Sequence, residues 1–260
     1  MRPLRIGIDS YSYHRLLGDV RPGEEAPARR FDTRDVLERA RELGVDAVSL
    51  ETAFLDLPLP DTDLEVVLAW GHPHGLASEG GLDDLLAWLD LAANMRCGLV
   101  RCVAGSPRLR SRPVEGLRVA VARARELGVT LALENHADLR AAEIVDLLDC
   151  VEGLAVCFDT ANALRVGDDP HDAALLLAPR TRMVHLKDVA ADWNDPVAGP
   201  RSVPYGEGVV AVRDVLGVYR AVDLDPLICV ELGQLAPGAD ELELVEQCVA
   251  WLRHYASSNG

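Results

Sequence analysis

Four ionisable residues close four successive apolar runs: Glu134 in VTLALENH, Asp159 in LAVCFDT, His185 in TRMVHLKD and Glu231 in PLICVELG. If each run is a β-strand, side chains alternate between two faces, and parity puts all four on the face opposite the bulky aliphatics. Leu131 and Leu133, Val156 and Phe158, Val184 and Leu186, and Ile228, Val230 and Leu232 take the other face. Three carboxylates and an imidazole aimed at one point repel one another unless a cation joins them. An oxygen-rich set favours Mn²⁺, Mg²⁺ or Co²⁺, with Zn²⁺ in an open coordination site as the alternative. Ordinary rim salt bridges would account for any one of these residues, and account less well for four in register.

The chain's single lysine, Lys187, stands two residues after His185, against 25 arginines elsewhere. Parity puts it on the His185 face, about 7 Å further along the strand. Three carboxylates around one divalent cation leave a formal charge of −1, so an ammonium is electrostatically favoured there. A compact point charge also suits a developing oxyanion or leaving group. Pairing with Asp188 or Glu231 is the plainer role.

The elements that must position these groups are legible as an alternation. Strand-like runs fall at residues 4–10, 45–51, 65–71, 98–105, 129–136, 154–160, 181–188 and 226–233. Segments of helical period separate most of them, among them TRDVLERARELG, GLDDLLAWLDLAANM and VEGLRVAVARARELG. TAFLDLPLPDTDL, between the second and third strands, carries Pro58 and Pro60 and is too irregular for a helix. Eight strands alternating with helices in 260 residues predict an α/β fold, a (β/α)8 TIM barrel over residues 1–260 as a single domain. No GxGxxG follows the first strand, which argues against a dinucleotide fold. The spacings from Glu134 to Asp159 to His185 are one βα unit each. The longer step to Glu231 is filled by AADWNDPVAGPRSVPYGEG, a Pro- and Gly-rich loop. In a barrel all four groups lie at the carboxyl ends of strands, where barrel enzymes do their chemistry. GEG at 206–208 reads as a turn opening the next helix, with Glu207 in its first turn.

The same face gathers further polar residues. His14 follows strand one, His72 strand three and His136 strand five, and all three are candidates for substrate contact; the adjacent His74, between Pro and Gly, is a weaker one. Glu51 ends strand two with inward parity, suited to binding a hydroxyl, to service as a second base, or to a salt bridge with a neighbouring arginine. Arg101 in strand four could hold an anionic group or neutralise a rim carboxylate.

Composition narrows the partners. A net charge of −16 with no basic stripe excludes nucleic acid and an anionic membrane as expected partners. The start MRPLRIGIDS lacks an apolar core of signal-peptide length, and no apolar run approaches membrane-spanning length, so a cytoplasmic protein is expected. Six cysteines scattered through apolar segments without a CxxC pair read as reduced, buried thiols. Homo-oligomer formation is compatible with the sequence.

The motifs LALENH, CFDTAN, VHLKD, GEGVV and CVELG, in this order and at these spacings, resemble the xylose-isomerase-like barrel superfamily of sugar phosphate isomerases and epimerases. The resemblance covers essentially the whole chain and is most specific in the second half. It implies one divalent metal held by Glu134, Asp159, His185 and Glu231, and a small-molecule sugar substrate. It further implies that Glu134 and Glu231 act as acid and base, with an enediolate as intermediate. Ketose epimerases of the superfamily typically carry a His three residues after the metal Asp, where this chain has Asn162. Asn can hydrogen-bond a hydroxyl but cannot exchange a proton. The superfamily also holds dehydratases, decarboxylases and enzymes that eliminate an aglycone from oxidised glycosides. An isomerase or epimerase is therefore the first reading and a lyase the second. A related abasic-site endonuclease would need additional His ligands and a cationic surface. A non-catalytic barrel would lack tight stoichiometric metal.

Overall fold

The computed structural model describes residues 3–71, 75–105, 113–195, 200–222 and 224–258. Eight parallel strands close into a barrel in sequence order: β1 (Ile6–Asp9), β2 (Ala47–Glu51), β3 (Glu65–Ala69), β4 (Leu99–Cys102), β5 (Thr130–Glu134), β6 (Ala155–Asp159), β7 (Thr181–Leu186) and β8 (Leu227–Val230), which pairs back onto β1. Each lies inside the run expected for it, trimmed at the ends. Nine α-helices are described: α1 (His14–Leu17), α2 (Thr33–Glu42), α3 (Gly81–Asn94), α4 (Pro113–Leu127), α5 (Ala141–Cys150), α6 (Thr160–Arg165), α7 (Pro170–Leu177), α8 (Val212–Ala221) and α9 (Glu241–Ser258). Between β2 and β3 there is only a 3-10 turn, Thr52–Phe54, and no α-helix, as the two prolines imply. Among the described residues no helix is long and apolar enough to cross a membrane.

The strand alternation divides the apolar residues into two bodies. Ala47, Val67, Ala132, Ala155, Cys157, Met183, Leu227 and Cys229 plug the barrel interior. Ile8, Val48, Leu68, Val100, Leu131, Phe158, Val184 and Val230 face the helices in the larger core. Alanines and cysteines make up most of the plug, and the strands come close: a Cβ at Gly7 would meet Cys229 Sγ at 2.8 Å and the Ala47 carbonyl at 3.2 Å. Burying these two bodies from water is the main favourable term for the fold.

Polar ties lock the carboxyl ends of the strands. Ser12 bridges β8, donating from Oγ to the Val230 carbonyl (3.2 Å) and accepting from the Leu232 N–H (3.0 Å). Asn135 joins β5 to β6 through its amide, which donates to the Asp159 carbonyl (2.8 Å) and accepts from the Asp159 N–H (2.6 Å). Asp188 accepts from the N–H groups of Val189, Gly206, Gly208 and Val210 at 2.9–3.0 Å. A Cβ at Gly208 would overlap Asp188 Oδ1, so glycine is required there. These bonds hold GEG as a loop, and α8 begins only at Val212, so Glu207 lies outside the helix's first turn, contrary to the sequence expectation. All six cysteines are free; five are buried and Cys150 is exposed.

Candidate metal centre and active site

β5 to β8 deliver the four converging groups by register. Asp159 pairs with His185 across β6 and β7, and His185 pairs with Cys229, so Glu231 projects one pleat above His185. The same register sets Lys187 beside Glu231, which explains their contact. Asp159 does two jobs with its two oxygens. Its Oδ1 accepts from the Asn162 N–H at 2.8 Å and caps α6, while its Oδ2 faces the barrel axis and Lys187.

All four side chains are buried, with Asp159 and His185 at 0 % exposure. His185 Nδ1 is 2.5 Å from Glu231 Oε2 and 3.8 Å from Glu134 Oε2. Asp159, His185 and Glu231 offer donor atoms within 4.8 Å of one another, as do Glu134, Cys157 and His185. Asp159 Oδ2, His185 Nδ1 and Glu231 Oε2 are buried without a hydrogen bond of normal geometry. Buried polar atoms are seldom left so. Three buried carboxylates and an imidazole, crowded together and held by one another and by two side-chain cations, are a donor set that fits a hard or borderline divalent cation.

Two side-chain cations sit among these acids. Lys187 Nζ bridges Asp159 Oδ2 (2.8 Å) and Glu231 Oε1 (2.9 Å) and makes no ion pair with Asp188, whose carboxylate serves the backbone instead. Arg101 ion-pairs with Glu51, places Nε 3.0 Å from Glu134 Oε2 and donates from Nη1 to the Trp70 carbonyl (3.1 Å). Glu134 is held from its other oxygen as well, since Asn162 Nδ2 donates to Oε1 at 3.0 Å. Arg165 in turn donates from Nη1 to Asn162 Oδ1, also at 3.0 Å. Asn162 therefore has both ends of its amide engaged.

The electrostatics separate the acids into two kinds. Burial pushes Glu231 up, but the charges of His185 and Lys187 and their hydrogen bonds outweigh it and hold the carboxyl below the usual range. Glu134 is likewise lowered, burial being overcome by Arg101 and then His185. Burial wins at Glu51, pushed up to about 8 against the pull of Arg101, and at Asp9, pushed up to about 6. For Lys187 burial favours the neutral amine, and Asp159 and Glu231 more than reverse it, so the ammonium form is strongly held.

Other residues singled out in the sequence are distributed unevenly. Glu51, Arg101, Glu134, His136, Asn162, Lys187 and Glu231 line one cavity of about 930 Å³, including its open mouth, at the carboxyl end of the barrel. His14 does not line it. The 3-10 turn Ser10–Tyr13 carries His14 behind Tyr11, where its ring stacks on the tyrosine, with Nδ1 3.0 Å from the Tyr11 carbonyl oxygen and Nε2 3.0 Å from Glu24 Oε1. His72 and His74 lie outside the described residues. Asp9 was not singled out, yet its Oδ2 is 3.5 Å from His185 Nε2, and the inward parity of Gly7 and Asp9 in LRIGIDS was the signal. Arg21 and Arg165 also line the cavity and come from loop and helix end, where no periodicity marks them.

The fold and site define a (β/α)8 barrel with a buried, metal-competent acid and histidine cluster at its carboxyl end. Residues 6–255 match the family described as xylose isomerase-like TIM barrel, and the chain belongs to that family. A segment of 91 residues is 31% identical to the protein YihM of Escherichia coli K12; it spans 34% of this chain and 28% of that protein. Among solved structures, the chain is similar to the probable 3-DHS dehydratase AsbF of Bacillus anthracis (18% identity, 96% of this chain and 98% of that one, TM-score 0.74). It is similar also to an L-ribulose 3-epimerase (16%, 98% and 96%, 0.73) and to a barrel protein of Mycobacterium smegmatis in complex with magnesium (19%, 98% and 97%, 0.71). At these identities the structural likeness establishes the fold.

Proposed function

We propose that the protein is a divalent-metal-dependent enzyme of the cytoplasm that isomerises or epimerises a keto sugar or sugar derivative through an enediolate. The carrying observation is that Glu134, Asp159, His185 and Glu231 gather in two overlapping buried groups that share His185, answered by one another and by Lys187 and Arg101, with Glu134 and Glu231 lining an open cavity. These four residues would hold Mn²⁺, Mg²⁺, Co²⁺ or Zn²⁺. The ion supplies Lewis acidity, polarising a carbonyl and acidifying the neighbouring C–H. A relative's magnesium complex supports the class of ion.

The chain's own groups divide the remaining work. Glu134 and Glu231 reach the same cavity from β5 and β8, and both are held in the acceptor form by their cationic neighbours. One carboxylate takes the proton from carbon. The other must first take up a proton from solvent through the open cavity before it delivers one to the opposite face. The first then releases its proton to solvent, so that uptake and release balance over a turnover. Lys187, kept as an ammonium, donates hydrogen bonds to a developing oxyanion. Asn162 fixes the Glu134 carboxylate and carries no proton itself.

The lyase reading is favoured by Asn162 standing where epimerases of this type have a histidine. One base and one leaving group then suffice, with loss of water, carbon dioxide or an aglycone. Incubation of keto sugars and oxidised glycosides in deuterated water with each metal decides between them. An epimerase washes deuterium into recovered sugar, whereas a lyase releases a fragment; neither outcome with any of the four metals overturns the enolate chemistry. Lys187→Arg adds a second check. Metal binding retained with turnover lost assigns the ammonium to the chemistry, and full turnover reduces it to a salt-bridge partner.

A further inference from the structure

Two guanidiniums at the mouth of the cavity make no ion pair with a candidate metal ligand among the described residues. Arg21, from the loop after α1, lies with Cζ 5.1 Å from the Tyr11 ring centroid, and Tyr11 itself lines the cavity. Arg165 ends α6 and touches Asn162 through one nitrogen. Among the described residues neither guanidinium has a carboxylate within ion-pair distance, whereas Arg101, Lys187, Arg15 and Arg39 all do. Glu24, three residues beyond Arg21, is spent: its oxygens serve the His14 ring and the backbone N–H groups of Arg21 and Leu235.

In a chain of net charge −16, two arginines on one cavity wall without carboxylate partners are conspicuous. They also oppose each other. Burial lowers the proton affinity of Arg21, Glu24 acts against that, repulsion from Arg165 adds to it, and the more weakly felt Glu231 opposes it. An anion between them would relieve the repulsion, and guanidinium forks match oxyanion geometry.

We infer that Arg21 and Arg165 form a clamp for an oxyanionic substituent, carboxylate or phosphate, carried by the substrate at the end remote from the reacting carbonyl. This inference rests on the keto-sugar reading and narrows it to anionic sugars. It also gives the cavity a direction: the acid cluster on the floor takes the carbonyl end, and the two guanidiniums at the mouth take the charged end. A neutral ketose would leave both arginines unmatched.

The test is calorimetric titration of the full chain, supplied with Mn²⁺, using three ligands on one carbon frame: D-fructose, D-fructose 6-phosphate and D-fructuronate, with the D-tagatose series as stereochemical variants. Charge-assisted hydrogen bonds to two arginines should give one anionic form an advantage on the order of tenfold to a hundredfold over the neutral sugar. Which anion gains distinguishes phosphate from carboxylate. Arg21→Gln and Arg165→Gln should each remove most of that advantage and leave the affinity for the neutral sugar within about threefold. No advantage for either anion in either series, or an advantage that survives in the double variant, overturns the clamp. Deuterium wash-in read on the same samples keeps the two conclusions apart. Exchange without anion preference sinks the clamp alone, and anion preference that depends on the arginines, without exchange or fragment release, sinks the enolate reading alone.

Discussion

The two halves of the barrel rim neutralise their acids in different ways. On the β6–β8 side the cation is Lys187, a flexible ammonium that is 12% exposed and touches Asp159 and Glu231 at 2.8 and 2.9 Å. On the β2–β5 side it is Arg101, 5% exposed, wedged between Glu51 and Glu134 with a third bond to the Trp70 carbonyl. A lysine at the rim can withdraw when another cation arrives. A guanidinium fork sealed among two carboxylates and a carbonyl cannot. One side is therefore built to exchange its cation, and the other to keep it.

The largest effect that would break this contrast is on stability. Arg101→Met should lower the unfolding free energy by roughly 3–5 kcal/mol, because it strands the ionised Glu134 in the barrel. The urea midpoint of the metal-free protein measures it, and Arg101→Met with Glu134→Gln should recover much of the loss. Lys187→Met, at the half-open position, should cost far less stability and should raise rather than lower metal affinity, since a competing cation leaves two of the four candidate ligands. If the two single variants destabilise equally, the two sides are equivalent and the distinction fails.

A smaller effect sharpens the picture from the β1 side. Asp9 Oδ2 stands 3.5 Å from His185 Nε2, while Nδ1 faces the candidate ligands. A carboxylate behind a ligating imidazole fixes its tautomer and orientation. Asp9→Asn should weaken Mn²⁺ binding, followed by equilibrium dialysis, by roughly 10–100-fold with little change in fold. Unchanged affinity would make Asp9 a bystander.

Asp9 also shows where the sequence was and was not transparent. Strand alternation is a local, period-two signal, so the eight strands, the plug residues and the inward set Glu134, Asp159, His185 and Glu231 could all be read from it. Asp9 obeys the same rule in Gly7-Ile8-Asp9, but one acid on a first strand means little until closure brings β1 against β8 and within reach of β7. His14 sits just past a strand end and so looks like a cavity residue. A 3-10 turn swings it behind Tyr11, and its partner Glu24 comes from an aperiodic loop ten residues on. The Arg101 pairings link β4 to β2 and β5, and no spacing encodes them. Asn162 lines the cavity as its place after Asp159 suggests, but its bonds to Glu134 and Arg165, set by the Asp159 cap that starts α6, carry no spacing signal.

The last effect concerns pH and the β2 acid. Burial raises Glu51 to about 8, with Arg101 pulling the other way, from an ordinary value of 4.5. Between those two values the folded chain binds a proton that the unfolded chain releases. The stability it contributes is thus complete below about pH 4.5 and is lost as the pH climbs through about 8. A single titrating group tilts the unfolding free energy by at most about 1.4 kcal/mol per pH unit. Glu134 and Glu231 run the other way, since their lowered values contribute stability that is present at neutral pH and lost only in acid, below the window in question. Glu51→Gln should therefore flatten the decline of the urea midpoint between pH 5 and 8 in chelator and leave the acid limb unchanged. Parallel curves for the two proteins would mean that Arg101 holds Glu51 ionised throughout. The β2–β5 side would then carry two permanent carboxylates against one guanidinium, and Lys187 would stand out even less as the more loosely held cation.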